Sequence, residues 1–582
     1  MQHLREYREG FVFAGLFLLA VFAVLSLLAL PLTAAIGPFY WDTIIYYDAT
    51  ARIADGQVPV VDFHAPVGPL GYWLFSLLHS IFPDGQGLYM ASWSILLITG
   101  PAMALIVFET VGRSRALAVA LAIPLLIFSA LPFNVEQFYP YPGVDGYGIY
   151  NRQISQLLYV LIAGLVFLEH PTRRIAVVAA CIIALFLTKI TGFLVGVPLI
   201  VLGVLARRLS LGQAAIVGAI FAAVLLGLEI WSGLTQAYVT SILSLVSVNE
   251  GSLLSHVIHG AGRNITTIAG LGVLICALAW SVRKQIFQIF TKLTAASIPG
   301  KLRDVAELPI VWLCAAAIGG ILLESQNWGG QAFLFVWPAL VLCLMAWGHW
   351  SERTRLVIAV LTAVAMLPSY VSVGGRALRT YLAQLQYDPV EIPEIGALSS
   401  LSKRAGIDGR VALIRQSSVN HPDYYRTYIN SGELPFFNYY AQPEFQLAWL
   451  QSIGEGVAAI RAFEAKHDIH FETILNLNFV NPFPYLLGRS APRLVTIGKD
   501  PFRTLPPLEP LAMEEIEQTD LILWPKCPET VANQRIREHF GQLIGDRVAI
   551  ELSPCWEGLV LPDSSKLSAV VPAKRPVFKT PL

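Results

Sequence analysis

Residues 41–73 read WDTIIYYDATARIADGQVPVVDFHAPVGPLGYW. They follow an apolar run over 10–32 that is long enough to cross a bilayer, so they are expected just outside the membrane. Asp42 then stands at the mouth of that first helix, and a carboxylate at a bilayer edge is costly enough to be a functional candidate by default. The turn formers Gly56-Gln57-Val58-Pro59 and Pro66-Val67-Gly68-Pro69 reverse the chain and return it to the membrane. An apolar helix, a turn-rich polar excursion and a return make the unit of a polytopic membrane protein.

The rest of the chain repeats that unit. Of its 582 residues, 55% are hydrophobic and only 14% charged, against about 25% charged in soluble domains. Mean hydropathy is +0.59. Forty basic and forty acidic residues cancel, so no basic excess points to nucleic acid. The first apolar run, preceded by His3, Arg5 and Arg8, has two readings, a signal peptide or an uncleaved helix. Its length exceeds the roughly 7–15-residue core of a signal peptide and favours the helix.

Apolar spans are expected at 11–31, 87–110, 116–131, 152–169, 175–188, 191–206, 212–230, 264–281, 307–323, 332–348 and 355–373. Basic residues fall in alternate connections: Arg113 and Arg115, Arg173 and Arg174, Arg207 and Arg208, the stretch 283–303, and Arg353 and Arg355. The intervening loops 132–150 and 324–331 contain no Lys or Arg. The positive-inside rule therefore predicts about eleven spans, a cytoplasmic N-terminus and an external C-terminus. The short apolar run 69–82 is expected as an interfacial helix, and 175–206 as two short helices meeting at Lys189. Short loops and no sorting signal suit a bacterial inner membrane.

Residues 1–375 form the expected membrane domain, and 376–582 a soluble α/β domain on the external side. In the latter, strands are predicted at 411–414, 473–475, 494–497, 521–523 and 548–550, and helices at 444–466 and 531–540. Of six cysteines, Cys181, Cys276, Cys314 and Cys343 lie in apolar runs, while Cys527 and Cys555 are placed to pair if the domain is external. No metal-type Cys/His spacing occurs.

Helical periodicity over 42–55 puts Asp42, Ile45, Tyr46, Ala49 and Ile53 on one face and Asp48, Arg52 and Asp55 on the other. Asp48 and Arg52 have the spacing of an i,i+4 ion pair, expected on a solvated face. Asp42 fits both a helix cap and a reacting group. In the loop that follows, Asp62 and His64 fit turn hydrogen bonding, acceptor binding or charge neutralisation. The second external loop, 132–152, is aromatic and offers Glu136 and Asp145 as carboxylates, the latter equally suited to a glycine-flanked turn. Lys189, the sole charge in 175–206, suits either a lipid phosphate or the headgroup layer.

The first-loop pattern is similar to G-x-x-P-Y-x-D-F…P-x-G-P-L-x-Y of the GT-C superfamily of membrane glycosyltransferases, which use polyprenyl-phosphate-linked sugars. Val60 stands where Tyr is common. Tyr150-Asn151-Arg152 and Leu187-Thr188-Lys189-Ile190-Thr191-Gly192 also resemble segments of that superfamily, including protein mannosyltransferases and aminoarabinose transferases. The resemblance covers 1–375 and says nothing of 376–582.

It implies a GT-C fold and a site on the external face, between the first two external loops and the membrane. It implies inverting transfer of a sugar from a polyprenyl-phosphate donor to an extracytoplasmic glycan, lipid or protein. Asp42 would be the general base and Asp145 the second acidic residue, with Glu136 as its alternative. Lys189, Arg152 and Tyr46 would hold the donor phosphate, with Arg263 a rival; Asp62 and His64 would serve the acceptor or order the loop. Glu324-Ser325-Gln326-Asn327 would line the site or cap helices. A divalent metal is permitted but not required. The competing classes are a lipid-linked-glycan transporter, which predicts mid-membrane charges and internal repeats, and a non-catalytic scaffold, in which Asp42 is replaceable.

Overall fold

The computed structural model describes residues 2–248, 253–291, 298–326, 329–432 and 441–561. Every expected apolar span contains a helix. Among the described residues, seven helices are long and apolar enough to cross a membrane: Tyr7–Ala29, Gly87–Thr110, Pro171–Thr188, Leu211–Ser232, Ile265–Lys284, Pro309–Gln326 and Glu352–Gln384. The count is lower than the sequence expectation. Arg115–Ala130 and Ile190–Leu205 have only 16 residues each, and Val336–Leu344 has nine. Ile149–Phe167 is long enough but carries Asn151, Arg152, Gln153 and Gln156.

That last helix explains its own composition. It is buried almost throughout, enclosed by Leu96–Thr110, Pro171–Thr188, Ile190–Leu205, Arg115–Ala130 and Val336–Leu344. An enclosed helix must satisfy its polar groups within the bundle. Gln153 does so by donating to the Ala91 carbonyl at 2.9 Å. Leu211–Ser232 is the opposite case: only Val217 is buried, and its exposed Ile216, Leu226 and Ile230 suit a lipid-facing surface.

The run 175–206 breaks as expected. Pro171–Thr188 ends and Ile190–Leu205 begins at Lys189, whose backbone is extended (φ −162°, ψ 127°). The run 69–82 forms the helix Leu70–Ile81. The last long helix, Glu352–Gln384, passes through position 375 without interruption.

The C-terminal part is α/β. A four-stranded sheet runs in the order Ile474–Asn476, Leu521–Pro525, Trp556–Val560, Val548–Ser553, with the first pair parallel and the others antiparallel. Helices Pro443–His467 and Val531–Ile544 accompany it. Cys527 and Cys555 form a disulfide with Cα atoms 5.0 Å apart. Two predicted strands are absent. Residues 411–414 lie in the helix Asp408–Asn420, where Val411 is buried but Leu413 is 65% exposed, a one-sided burial that a helix satisfies. Residues 494–497 spend their amides on the loop 56–69: Leu494 N–H donates to the Asp62 carbonyl (2.6 Å) and Ile497 N–H to the His64 carbonyl (2.9 Å).

This pairing is one of several seams between the two parts. A second small sheet places Ala34–Ala35 parallel to Leu401–Arg404, which pairs antiparallel with Tyr387–Pro389. Gln446 receives the Tyr40 N–H at 2.6 Å and donates to the Gly37 carbonyl. The C-terminal part is thus seated directly on residues 34–66.

Candidate active site

The helix Trp41–Ala54 begins within that seam. Its N-cap is Tyr40, which makes no side-chain cap hydrogen bond, and Asp42 lies in the first turn. Asp42 caps nothing: among the described residues its carboxylate has no hydrogen bond or ion pair. Burial without a partner pushes its pKa up to about 7, although the side chain keeps partial exposure. The charge of Asp42 bears on the Tyr46 and Tyr72 hydroxyls, and that of Tyr150 on Tyr46. Tyr46 and Tyr72 are ring neighbours, 5.2 Å between centroids.

Tyr150 leads to the second charged group. The Lys189 ammonium lies 4.8 Å from the Tyr150 ring centroid and donates to Asn151 Oδ1 at 2.8 Å. The loop 56–69 locks onto this helix break. Gly68 N–H donates to the Thr188 carbonyl at 3.0 Å, and a Cβ on Gly68 would fall 2.2 Å from the Leu187 carbonyl oxygen. Asp42, Tyr46, Tyr72, Tyr150 and Lys189 therefore form one cluster, drawn from three helices and a helix break.

The other expected residues go elsewhere. Asp145 is fully buried and pairs with Arg376 at 2.6 Å, while its second oxygen accepts the Asn134 N–H at 2.8 Å. The last long helix supplies the cation paired with this carboxylate, the one the sequence offered as the second acidic residue. Arg152, 2% exposed, donates to Asn134 Oδ1 (2.7 Å), the Tyr147 carbonyl (2.9 Å) and Ser92 Oγ (3.2 Å). Its guanidinium, expected on a phosphate, is hydrogen-bonded to the second loop and to Ser92. Glu136 lies 3.4 Å from Arg263, joining the two candidates to each other. Glu324 is buried and accepts from Asn264 at 3.3 Å. Asn327 lies outside the described residues.

Asp62 and His64 order the loop. Asp62 accepts the Val58 N–H at 2.7 Å and pairs with Arg493 of the C-terminal part. His64, its pKa lowered by burial, offers its backbone carbonyl to Ile497. Val60, two residues before Asp62, adopts φ 72°, a left-handed conformation unfavourable for a β-branched residue and held by the pairing of Pro59 with Phe63.

Asp48 and Arg52 do pair at 2.9 Å, but each is 1% exposed. The face expected in solvent is covered by the C-terminal part: Arg52 donates to the Pro492 carbonyl at 2.8 Å, and Lys499 lies alongside with its ammonium buried and unbonded. Sequence reading missed Lys499, Asp500 and Arg503. Their only signal was a charged turn, Gly498-Lys499-Asp500-Pro501-Phe502-Arg503, in a domain for which the motifs offered no role. Among the described residues no group of three or more His, Cys, Asp or Glu is gathered for a metal. A separate cleft of about 290 Å³, lined by Ile36, Tyr141, Pro142, Tyr387, Arg404 and Arg410 among others, includes neither Asp42 nor Lys189.

No family model matches the chain. No curated protein matches it. Among solved structures it is similar to ArnT from Cupriavidus metallidurans in the apo state (12% identity, TM-score 0.39, covering 94% of this chain and 97% of that one). It is also similar to the same protein bound to undecaprenyl phosphate (13%, 0.36, 94% and 98%). A third is the archaeal oligosaccharyltransferase AglB from Archaeoglobus fulgidus in complex with an inhibitory peptide and a dolichol-phosphate (11%, 0.34, 92% and 72%).

Proposed function

We propose that this chain is an inverting membrane glycosyltransferase that moves a sugar from a polyprenyl-phosphate donor to an extracytoplasmic acceptor. The observation that carries the reading is Asp42, an unpaired carboxylate in the first turn of an interfacial helix, with its pKa held near 7 and Lys189 in the same cluster. A general base is most effective when its pKa lies near the working pH.

Asp42 takes the proton of the acceptor hydroxyl. The hydroxyl oxygen bonds to the anomeric carbon as the bond from that carbon to the phosphate oxygen breaks. The electron pair leaves on the polyprenyl phosphate, and attack from the opposite face inverts the configuration. Lys189 stabilises the charge that grows on the leaving phosphate. Tyr46 and Tyr72 pack ring to ring beside the centre, and the partly exposed Tyr150 offers a ring face to a sugar. Asp145 and Arg152 hold the second loop in shape instead of meeting substrate.

The test compares cells producing wild type, Asp42→Asn, Asp48→Asn or an empty vector at matched membrane abundance. Mass spectrometry reads envelope glycans, lipids and proteins for an added sugar, and the lipid extract for polyprenyl-phosphate sugar. The expected result is a product with wild type and with Asp48→Asn, whereas Asp42→Asn accumulates donor and its transfer falls about 100-fold or more. Wild-type transfer rises with pH through about 7, because the base acts when deprotonated. Wild-type transfer by Asp42→Asn would overturn the base assignment, and no product beyond the vector would overturn the enzyme reading in favour of a scaffold or transporter.

A further inference from the structure

The second loop carries aromatic rings that the Asp42 cluster does not use. Its segment Tyr139-Pro140-Tyr141-Pro142-Gly143 meets the C-terminal part. Two prolines fix two φ angles there, and neighbours pin the rest. Tyr387 donates its hydroxyl to the Pro142 carbonyl at 3.0 Å, and Val144 N–H donates to the Ala35 carbonyl at 2.9 Å. A Cβ on Gly143 would fall 2.5 Å from the Ile36 carbonyl oxygen. The Tyr141 ring, 51% exposed, is therefore held out on a stiff support instead of folding into the core.

Tyr141 lines the cleft of about 290 Å³, which also has the buried Ile36 in its wall. That volume is at the lower end of small-molecule sites, which start at roughly 300 Å³. The C-terminal part gives the cleft its charge. Arg404 stands opposite Tyr387 in the antiparallel pair, and both line the cleft. Among the described residues the Arg404 guanidinium has no hydrogen bond or ion pair. Arg410 lies 3.3 Å from Glu444, so two cations meet one carboxylate there. An unpaired guanidinium in a cleft suits a carboxylate or phosphate, which it grips through two parallel N–H bonds. A tyrosine beside it offers a flat apolar face and a hydroxyl. A pyranose bearing an acidic group matches both, with its C–H face on the ring and its anion on the arginine. An acidic peptide would use the arginine and leave the exposed ring without a flat partner. The cleft also adjoins the Asp42 helix. Ile36 stands six residues before Asp42. Rings pack in series from the loop to the neighbour of Asp42: Tyr139 on Phe138 (5.1 Å between centroids), Phe138 on Phe39 (4.7 Å) and Phe39 on Trp41 (5.3 Å).

We propose that this cleft is a second carbohydrate site, in which Arg404 and Tyr141 hold an acidic sugar unit of the acceptor beside the seam that leads to Asp42. The acceptor role rests on the glycosyltransferase reading; the binding of an acidic sugar does not. The C-terminal part thereby selects acceptors by charge.

Isothermal titration calorimetry of the purified full-length protein in detergent measures the binding. The acidic sugars are hyaluronan tetrasaccharide, which carries carboxylates, and glucose 6-phosphate. The controls are neutral chitotetraose, tetraglutamate and inorganic phosphate. An acidic sugar is expected to bind wild type about tenfold or more tightly than chitotetraose. Which of the two acidic sugars does so identifies the anion as carboxylate or phosphate. Arg404→Gln abolishes the preference, Tyr141→Ala weakens acidic-sugar binding about tenfold and Tyr141→Phe retains it. Both side chains are exposed, and unchanged melting temperatures show that the variants are folded. Unchanged binding by Arg404→Gln overturns the site, as does the lack of acidic-sugar binding by wild type. Equal affinity for tetraglutamate or inorganic phosphate also overturns it, marking a peptide site or a plain anion contact. If an acidic sugar binds through Arg404 but wild type transfers no sugar, the site stands and the enzyme reading fails. If transfer needs Asp42 but no acidic sugar binds, the reverse holds.

Discussion

At the scale of single residues, burial and pairing divide the carboxylates into two kinds. Asp42 is unpaired and its pKa is raised to about 7 by burial, whereas Asp145 is fully buried against Arg376. The first has a consequence for stability. An aspartate whose folded pKa lies above the ordinary value near ~4 destabilises the fold progressively as pH rises from about 4 to 7. Asp42→Asn is therefore expected to melt above wild type at pH 8, with the difference gone below about pH 4. Equal melting temperatures at pH 8 would mean that Asp42 is paired after all. The second kind behaves in the opposite way. Arg376→Met strands a fully buried carboxylate and is expected to lose about 3–5 kcal/mol of stability. Thermal unfolding of the purified protein measures it, and a loss below about 1 kcal/mol would show that the Asp145 pair is not structural.

The lesson of the sequence at this scale is mixed. Periodicity put Asp42 and Tyr46 on one face and spaced Asp48 from Arg52 as a pair, and both features are present. Spacing does not say what covers a face. The solvated reading of Asp48 failed because a segment more than 430 residues distant lies over it.

At the scale of elements, the site depends on how a loop meets a helix break. Lys189 separates two short helices as its isolation in an apolar run suggested, and the proline-rich return of the first loop packs on that point. Gly68 has no room for a side chain there. Gly68→Ala is expected to destabilise the protein by about 1–3 kcal/mol or more, because backbone atoms must move. It should also reduce transfer beyond what the stability loss explains, since the loop then leaves Lys189. Wild-type melting and transfer in Gly68→Ala would show that the loop sits elsewhere. The helical break was legible because the apolar run is too long for one span, has Arg on both flanks and holds a single charge at Lys189. The strands at 411–414 and 494–497 were misread because four apolar residues fit a strand, a helix face or an extended loop equally well.

At the scale of the whole molecule, the C-terminal domain is clamped to the membrane part by buried charge. Asp48, Arg52 and Lys499 meet at the seam, and Lys499 has its pKa lowered to about 8, chiefly by burial, with Arg52 adding and the Asp48 carboxylate opposing. A lysine depressed in the folded state weakens the fold below pH 8, and that penalty fades as pH rises toward the unfolded value near ~10.4. Lys499→Met is thus expected to melt at or above wild type at pH 7, with the gain shrinking at pH 10. A clear drop at pH 7 would mean that the ammonium holds a partner. Arg52→Met, which removes the partner of Asp48 instead, should destabilise and expose the seam to proteolysis.

Apolar run length and turn chemistry were enough to determine a helical membrane part, the turn-rich loop that follows Asp42, a break at Lys189 and the α/β character of the C-terminal part. These are local properties: each is written within about 20 residues and follows from hydrophobic transfer or backbone stereochemistry. Which carboxylate stays unpaired, which arginine is spent on a loop and which domain closes over the cluster were settled only by the tertiary structure. Charge pairing in a buried seam joins residues hundreds of positions apart, and no local pattern records which of them will meet.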